Sequence, residues 1–333
     1  MPTPYPLRFQ PFYRDYLWGG RKLQTVLGKE LPPSGIWAES WEIVDHPEHS
    51  SQICNGPLRG KSLSQLTLDN RQWLLGDDEQ HQSLPLLLKY LDCQRVLSVQ
   101  VHPDDQYATL MSPPDLGKTE AWVIISAESD AVLYAGLKAG VTHQALRQAL
   151  VAGQVEECLH AIYPQCGDCV FIPAGTVHAL GAGLLVAEIQ QASNTTFRLF
   201  DWNRVDANGQ PRPLHIDQSL EVIDFDSGPR PLQTAQPTDL PGRQRLVSCD
   251  KFVLDRLQTM ETSLDENTHQ LAGDGRLHLV TVPTGEATFV WNTHAETVTC
   301  GQSLLLPASM DTLAFQLAPG TVLLDMYLPA SAS

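Results

Sequence analysis

Apolar residues recur along the chain in two spacings, and these predict different elements. From Leu63 to Leu75 the apolar positions Leu63, Leu66, Leu68, Trp73 and Leu74 fall at helical intervals. From about Thr142 to Ile162 the positions Leu146, Leu150, Val155, Leu159 and Ile162 do the same, with Thr142 as a helix N-cap. Most of the remainder consists of short runs of Val, Ile, Leu and aromatic residues bounded by Gly, Pro, Asn and Asp, which is the pattern of strands. Expected strands are Val96–Val101, Ala121–Ile125, Ala131–Tyr134, Cys169–Ile172, Leu184–Ile189, Leu277–Val282, Ala287–Trp291, Ser303–Leu306 and Thr321–Tyr327. The chain is expected to be mainly β with a few inserted helices.

One strand pattern occurs twice. Gly167-Asp-Cys-Val-Phe-Ile-Pro-Ala-Gly matches Gly301-Gln-Ser-Leu-Leu-Leu-Pro-Ala-Ser at a constant offset of 134. Each copy has a turn glycine, then a buried strand, then a proline that ends it because proline cannot donate to a sheet ladder. This pattern resembles the cupin family of small jelly-roll-like β-barrels, and two copies imply two barrels. The stretch 227–244, rich in proline and polar residues, reads as a linker. The expected organisation is therefore a domain over 1–226, a linker over 227–244 and a second β domain over 245–333. The first copy continues to His178, whereas the same offset places Thr312 in the second. If His178 is a ligand, the second domain has lost that ligand and the first is the working one.

The net charge of −16 opposes nucleic acid and anionic membranes as partners. It leaves room for a small anionic substrate, because a bound cation and a few basic side chains can reverse the sign inside one pocket. The start of the chain lacks a basic segment followed by an apolar run, and no apolar stretch approaches the roughly 18 residues that span a bilayer. Seven cysteines, with Cys166 and Cys169 as the sole close pair, argue against a disulfide framework and for a cytoplasmic protein. Nothing in the sequence requires more than a monomer or a weak homo-oligomer.

In Ser98-Val-Gln-Val-His102 the alternation of a strand points Ser98, Gln100 and His102 to one face and the valines to the other. Polar groups on such a face need partners. Glu120 stands at the start of the next apolar run, and His178 follows Pro173-Ala-Gly-Thr-Val in a turn. A single histidine is ordinarily a core or surface residue. Two imidazoles, a carboxylate and an amide at neighbouring strand ends are more specific, and they suit zinc with a position left open for substrate. With a dication and one carboxylate the site keeps a charge of about +1 and remains electrophilic.

The same residues resemble type I mannose-6-phosphate isomerase in its short bacterial form. The resemblance rests on Trp18-Gly-Gly-Arg-Lys-Leu, Trp37-Ala-Glu-Ser-Trp-Glu-Ile with His46-Pro, and Pro85-Leu-Leu-Leu-Lys-Tyr-Leu. It is densest in Leu97-Ser-Val-Gln-Val-His-Pro-Asp-Asp, Gly117-Lys-Thr-Glu-Ala-Trp, Gly167 to Leu180 and Glu188 to Trp202. It implies one zinc ion per chain on Gln100, His102, Glu120 and His178, with Arg198 as the active-site arginine. It places Lys118, Lys89, Ser98, Glu39 and Glu188 around the pocket, and implies interconversion of mannose 6-phosphate and fructose 6-phosphate. Many relatives have Asp where this chain has Asn194, which alters the charge expected near Arg198.

Such an isomerase must move a proton between C1 and C2 and stabilise the enediolate in between. Zinc with Arg198 or Lys118 would stabilise the developing charge. Glu188, a hydroxide on the zinc, and Lys118 are all candidates for the base. Rival readings are another metal-dependent cupin enzyme, such as a dioxygenase or an isomerase of a different sugar, and a non-catalytic sugar-binding bicupin.

Overall fold

The computed structural model describes residues 2–77, 81–205, 208–259 and 268–330. Among these lie twenty-three strands against five α-helices and one short 3-10 turn, so the chain is mainly β as the sequence pattern predicts. No helix among the described residues is long and apolar enough to cross a membrane. Contacts divide the chain into two units. One comprises Met1–Arg14, Arg21–Tyr90 and Thr234–Ser333, and the other Asp15–Gly20 and Leu91–Gln233.

The unit built on 91–233 carries the strands that hold the candidate site. Cys169–Ile172, Glu120–Ala127 and Leu184–Gln191 pair antiparallel in that order. A second sheet runs Phe197–Phe200, Val99–Val101, His178–Leu180, Leu133–Leu137 and Leu159–Ile162. Val99 and Val101, the alternate residues of Ser98–His102, are fully buried in an apolar cluster with Leu146, Val155 and Leu199. That burial fixes the register, since a slip of one residue would turn Gln100 and His102 into the apolar core.

The helical stretch expected up to Ile162 ends early. The helix is His143–Ala152, begun by the Thr142 hydroxyl accepting from the Ala145 amide and ended by Gly153 at φ +71°. Val155–Cys158 is a 3-10 turn and Leu159–Ile162 is a strand paired with Leu133–Leu137. The helical spacing of Val155, Leu159 and Ile162 is therefore accidental. They are buried by different elements after the glycine stop.

In the other unit the sheet order is Gln236–Pro237, Arg243–Ser248, Val253–Gln258, Val322–Tyr327, His278–Thr284 and Ser303–Leu306. A four-stranded sheet follows, in the order Thr268–Leu271, Leu313–Leu317, Glu286–Trp291 and His294–Thr299. Phe289 and Phe315 stack at 5.1 Å in its apolar cluster. The Leu63–Leu75 helix, where the sequence pattern places it, starts with a reciprocal cap between Ser62 and Gln65.

Each sheet is an open order of strands, so closed barrels are not formed among the described residues. The ladders are interrupted by register shifts at Leu185/Val186, Tyr134/Leu137 and Arg198/Phe200, where strands bend out of one sheet's pairing. The proline-rich stretch 227–244 also makes sheet contacts. Pro229 bridges Gly136, Leu232 bridges Val170, and Gln236–Pro237 pairs with Arg243–Ser248.

Candidate metal centre

Register brings the candidate ligands together from two sheets. Arg198, Gln100, His178 and Ala135 lie side by side across four neighbouring strands. Glu120 comes from the other sheet, as the first residue of its strand, paired with Ile172 on one side and Gln190 on the other. His102, Glu120 and His178 are each at most 1% exposed, and their ligand atoms all lie within 4.8 Å of one another.

The histidine orientations are set by backbone carbonyls. Nδ1–H of His102 donates to the Thr195 carbonyl at 2.9 Å, and Nδ1–H of His178 donates to the Thr176 carbonyl at 2.8 Å. This tautomer leaves a lone pair on each Nε2. Nε2 of His102 lies 3.6 Å from Oε2 of Glu120, and Nε2 of His178 lies 3.4 Å from Oε1. Burial pushes the His178 imidazole down to about 4, so near neutrality it carries no charge with which to answer the carboxylate. Lone pairs facing one another in a buried space are unfavourable unless a cation lies among them. The donor set therefore fits a divalent metal ion.

The Gln100 amide completes the arrangement. Its nitrogen end is 3.2 Å from Nε2 of His178, and a half-turn of the amide presents its oxygen instead. Lys118, itself 5% exposed, places Nζ 3.3 Å from Oε2 of Glu120. Glu188 is buried two residues along from Gln190 and accepts from Trp122 Nε1 at 2.9 Å. The Trp122 ring meets the His178 ring edge-on at 5.4 Å. Arg198 is partly buried. Its Nε approaches Ser98 Oγ at 3.3 Å, and Nη1 donates to the Pro213 carbonyl at 3.0 Å. Burial and the neighbouring Arg212 pull its pKa below the usual guanidinium value.

Gln100, His102, Glu120, His178, Lys118, Ser98 and Arg198 are thus gathered, with Glu188 joined through Trp122. Lys89 and Glu39 belong to the other contact unit, where Lys89 Nζ lies 3.9 Å from Glu39 Oε2 and Trp41 Nε1 donates to the same oxygen at 2.6 Å. Sequence reasoning missed Asp115. One of its carboxylate oxygens accepts from Ser193 Oγ at 2.8 Å and from Thr195 Oγ1 at 2.6 Å, which ties down the segment whose carbonyl orients His102. Cys166 and Cys169 form neither a disulfide nor part of a metal-ligating group among the described residues.

Residues 7–133 match the family described as phosphomannose isomerase type I, catalytic domain. The chain is 43% identical to a probable mannose-6-phosphate isomerase, GmuF, of Bacillus subtilis, over 66% of this chain and 68% of that protein. It is 40% identical to a mannose-6-phosphate isomerase of Streptococcus mutans over 66% of this chain and 67% of that one. Among solved structures, the mannose 6-phosphate isomerase from Bacillus subtilis superposes with a TM-score of 0.87 at 29% identity, covering 97% of this chain and 99% of that one.

Proposed function

The chain belongs to the type I phosphomannose isomerase family, and from that premise we propose that it interconverts mannose 6-phosphate and fructose 6-phosphate at one zinc ion held by Gln100, His102, Glu120 and His178. The single observation that carries the reading is the buried meeting of two imidazole lone pairs with the Glu120 carboxylate. A divalent ion there supplies a positive charge on which oxyanion character in the sugar is stabilised.

The protein's own residues account for the rest. The carbonyls of Thr195 and Thr176 hold both imidazoles in the metal-facing tautomer before substrate arrives. Arg198, beside Gln100 in the next strand, is a second cation for the developing charge or the phosphate. Lys118 and Glu188 flank the shell and are the groups that can pass a proton between C1 and C2. Lys89 and Glu39 are proposed to contact substrate. Seven cysteines with no disulfide among the described residues favour a reducing, cytoplasmic setting, and the reaction needs no partner beyond the hexose phosphate.

A coupled assay with mannose 6-phosphate, before and after chelation, tests the reading. Activity is expected to vanish on chelation and to return with zinc. Turnover that is equally fast in metal-stripped protein would remove the metal centre from the reaction.

A further inference from the structure

The two copies of the Pro-Ala strand allow the candidate centre to be traced onto the other unit. Ile172 pairs with Glu120, and Leu306, 134 residues later, pairs with His278. His278 thus stands where Glu120 does, and Arg276 where Lys118 does. Glu188 pairs with Trp122, two residues after Glu120, and Asp325 pairs with Val280, two residues after His278. Asp325 therefore takes the place of Glu188, and Thr312 that of His178. The metal donors are gone, and no metal-ligating group of three gathers there among the described residues. The place is not filled in, however. A cavity of about 370 Å³ remains, with Arg243, Arg245, Arg276, His278, Thr312 and Tyr327 among its walls.

The hydrogen bonds around this cavity are one-sided. Every carboxylate oxygen of three aspartates is engaged. Asp255 accepts from Arg243, Arg245 and the Tyr327 hydroxyl, and Asp325 from Arg243 and His278. Asp274 accepts from Arg276 and His278. The donors are not exhausted. Nη1 of Arg245, Nη1 of Arg276 and Nη2 of Arg243 make no hydrogen bond among the described residues. Nε of Arg243, in a side chain 7% exposed, is buried and unmatched. A guanidinium has five N–H donors in a rigid fork suited to oxyanions. The wall also carries Asp239, whose carboxylate makes no hydrogen bond among the described residues, but the unmatched donors of three guanidinium groups outnumber it, which favours a ligand rich in acceptors.

We propose that this cavity, the counterpart of the metal centre in the other unit, is a second and metal-free binding site for a phosphate group. The His278 imidazole, in its wall, donates to both Asp274 and Asp325, and Asp274 also accepts from Nε and Nη2 of Arg276, so the groups of Arg245 and Arg276 left for a ligand are their Nη1 groups. The volume admits a phosphate ester of a small sugar as well as the free ion.

Calorimetric titration of the full zinc-loaded chain tests this with inorganic phosphate and, separately, fructose 6-phosphate. Phosphate is expected to bind Glu120→Gln as well as it binds the unaltered chain, and at least about tenfold more weakly to Arg276→Gln, which should keep its zinc and its isomerase rate. Arg245→Gln is the second variant, should Arg276→Gln fail to fold, with the same weakening expected. If fructose 6-phosphate binds Glu120→Gln more tightly than phosphate does, the ligand is the sugar ester, and equal affinities indicate the free ion. Phosphate binding that disappears in Glu120→Gln and survives both arginine variants would assign it to the metal centre and overturn the proposal. So would the absence of binding at about 1 mM phosphate. Neither outcome depends on whether the protein isomerises mannose 6-phosphate.

Discussion

The carbonyl oxygen of Thr195 accepts the Nδ1 proton of His102 at 2.9 Å, and the Thr195 hydroxyl is in turn anchored on Asp115 at 2.6 Å. The orientation of the proposed ligand His102 therefore depends on Asp115, a residue outside the proposed ligand set. Partners of this kind typically change metal affinity by 10- to 100-fold when removed. Asp115→Ala is expected to weaken zinc binding about tenfold in competition with a chromophoric chelator, and to recover much of its kcat once zinc is in excess. Unchanged affinity would mean that the 193–195 segment holds His102 without Asp115.

Arg198 lies beside Gln100, and its guanidinium is lodged between Ser98 and the Pro213 carbonyl. A fixed cation beside a developing oxyanion is worth at least about a tenfold rate effect. Arg198→Ala is expected to lower kcat by that much or more with normal zinc content. Retained kcat with a raised KM would instead make the arginine a phosphate holder.

Lys118 and Glu188 are separable by kinetics. Lys118 Nζ lies 3.3 Å from Oε2 of Glu120, while Glu188 is held through Trp122 at 2.9 Å. Removing the group that takes the carbon-bound proton is expected to cost about 10²-fold or more in kcat and to erase one limb of the pH–rate profile. Lys118→Met and Glu188→Gln, compared for exchange of the C2 proton with solvent, identify which it is. Normal exchange in both would exclude both.

The parts of the site on one strand face were legible because side-chain alternation is strict. Once Val99 and Val101 are assigned to the core, Gln100 and His102 have one direction left. The carbonyls of Thr176 and Thr195 were invisible, since a backbone acceptor has no residue-type signature, and Asp115 was invisible for the same reason one step removed. Gly153 was a readable stop that the apolar spacing beyond it obscured. The placement of Arg21–Tyr90 with the C-terminal portion depends on contacts between residues far apart in the chain, which local pattern does not encode.

His278 predicts a pH dependence of stability. Burial alone would lower its pKa, but Asp325 and Asp274 outweigh burial and push it up to about 9 from an ordinary 6.5. The folded protein holds this proton where the unfolded chain has released it. The stabilisation is therefore complete below pH 6.5 and is lost as the pH rises to about 9. Its size is on the order of 3 kcal/mol. Urea midpoints are expected to fall across this window, and the His278-dependent part of that fall should be missing in His278→Gln. Parallel curves for the two proteins would show that the imidazole is not charged in the folded state.

Gly136 and Gly140 allow a paired test of backbone strain and close packing. Both adopt left-handed conformations, at φ +81° and +82°. A Cβ on Gly136 would sit 2.3 Å from the Gly228 carbonyl oxygen, where the chain bridges at Pro229, whereas one on Gly140 would meet nothing within 4 Å. Gly140→Ala should cost only the conformational term of about 1–2 kcal/mol. Gly136→Ala bears the same term and must also displace backbone, so it is expected to lose at least about 2 kcal/mol more. Urea denaturation of the two variants measures the difference directly. Equal losses would show that the 228–230 segment yields freely, and that its contact with Gly136 adds nothing to stability.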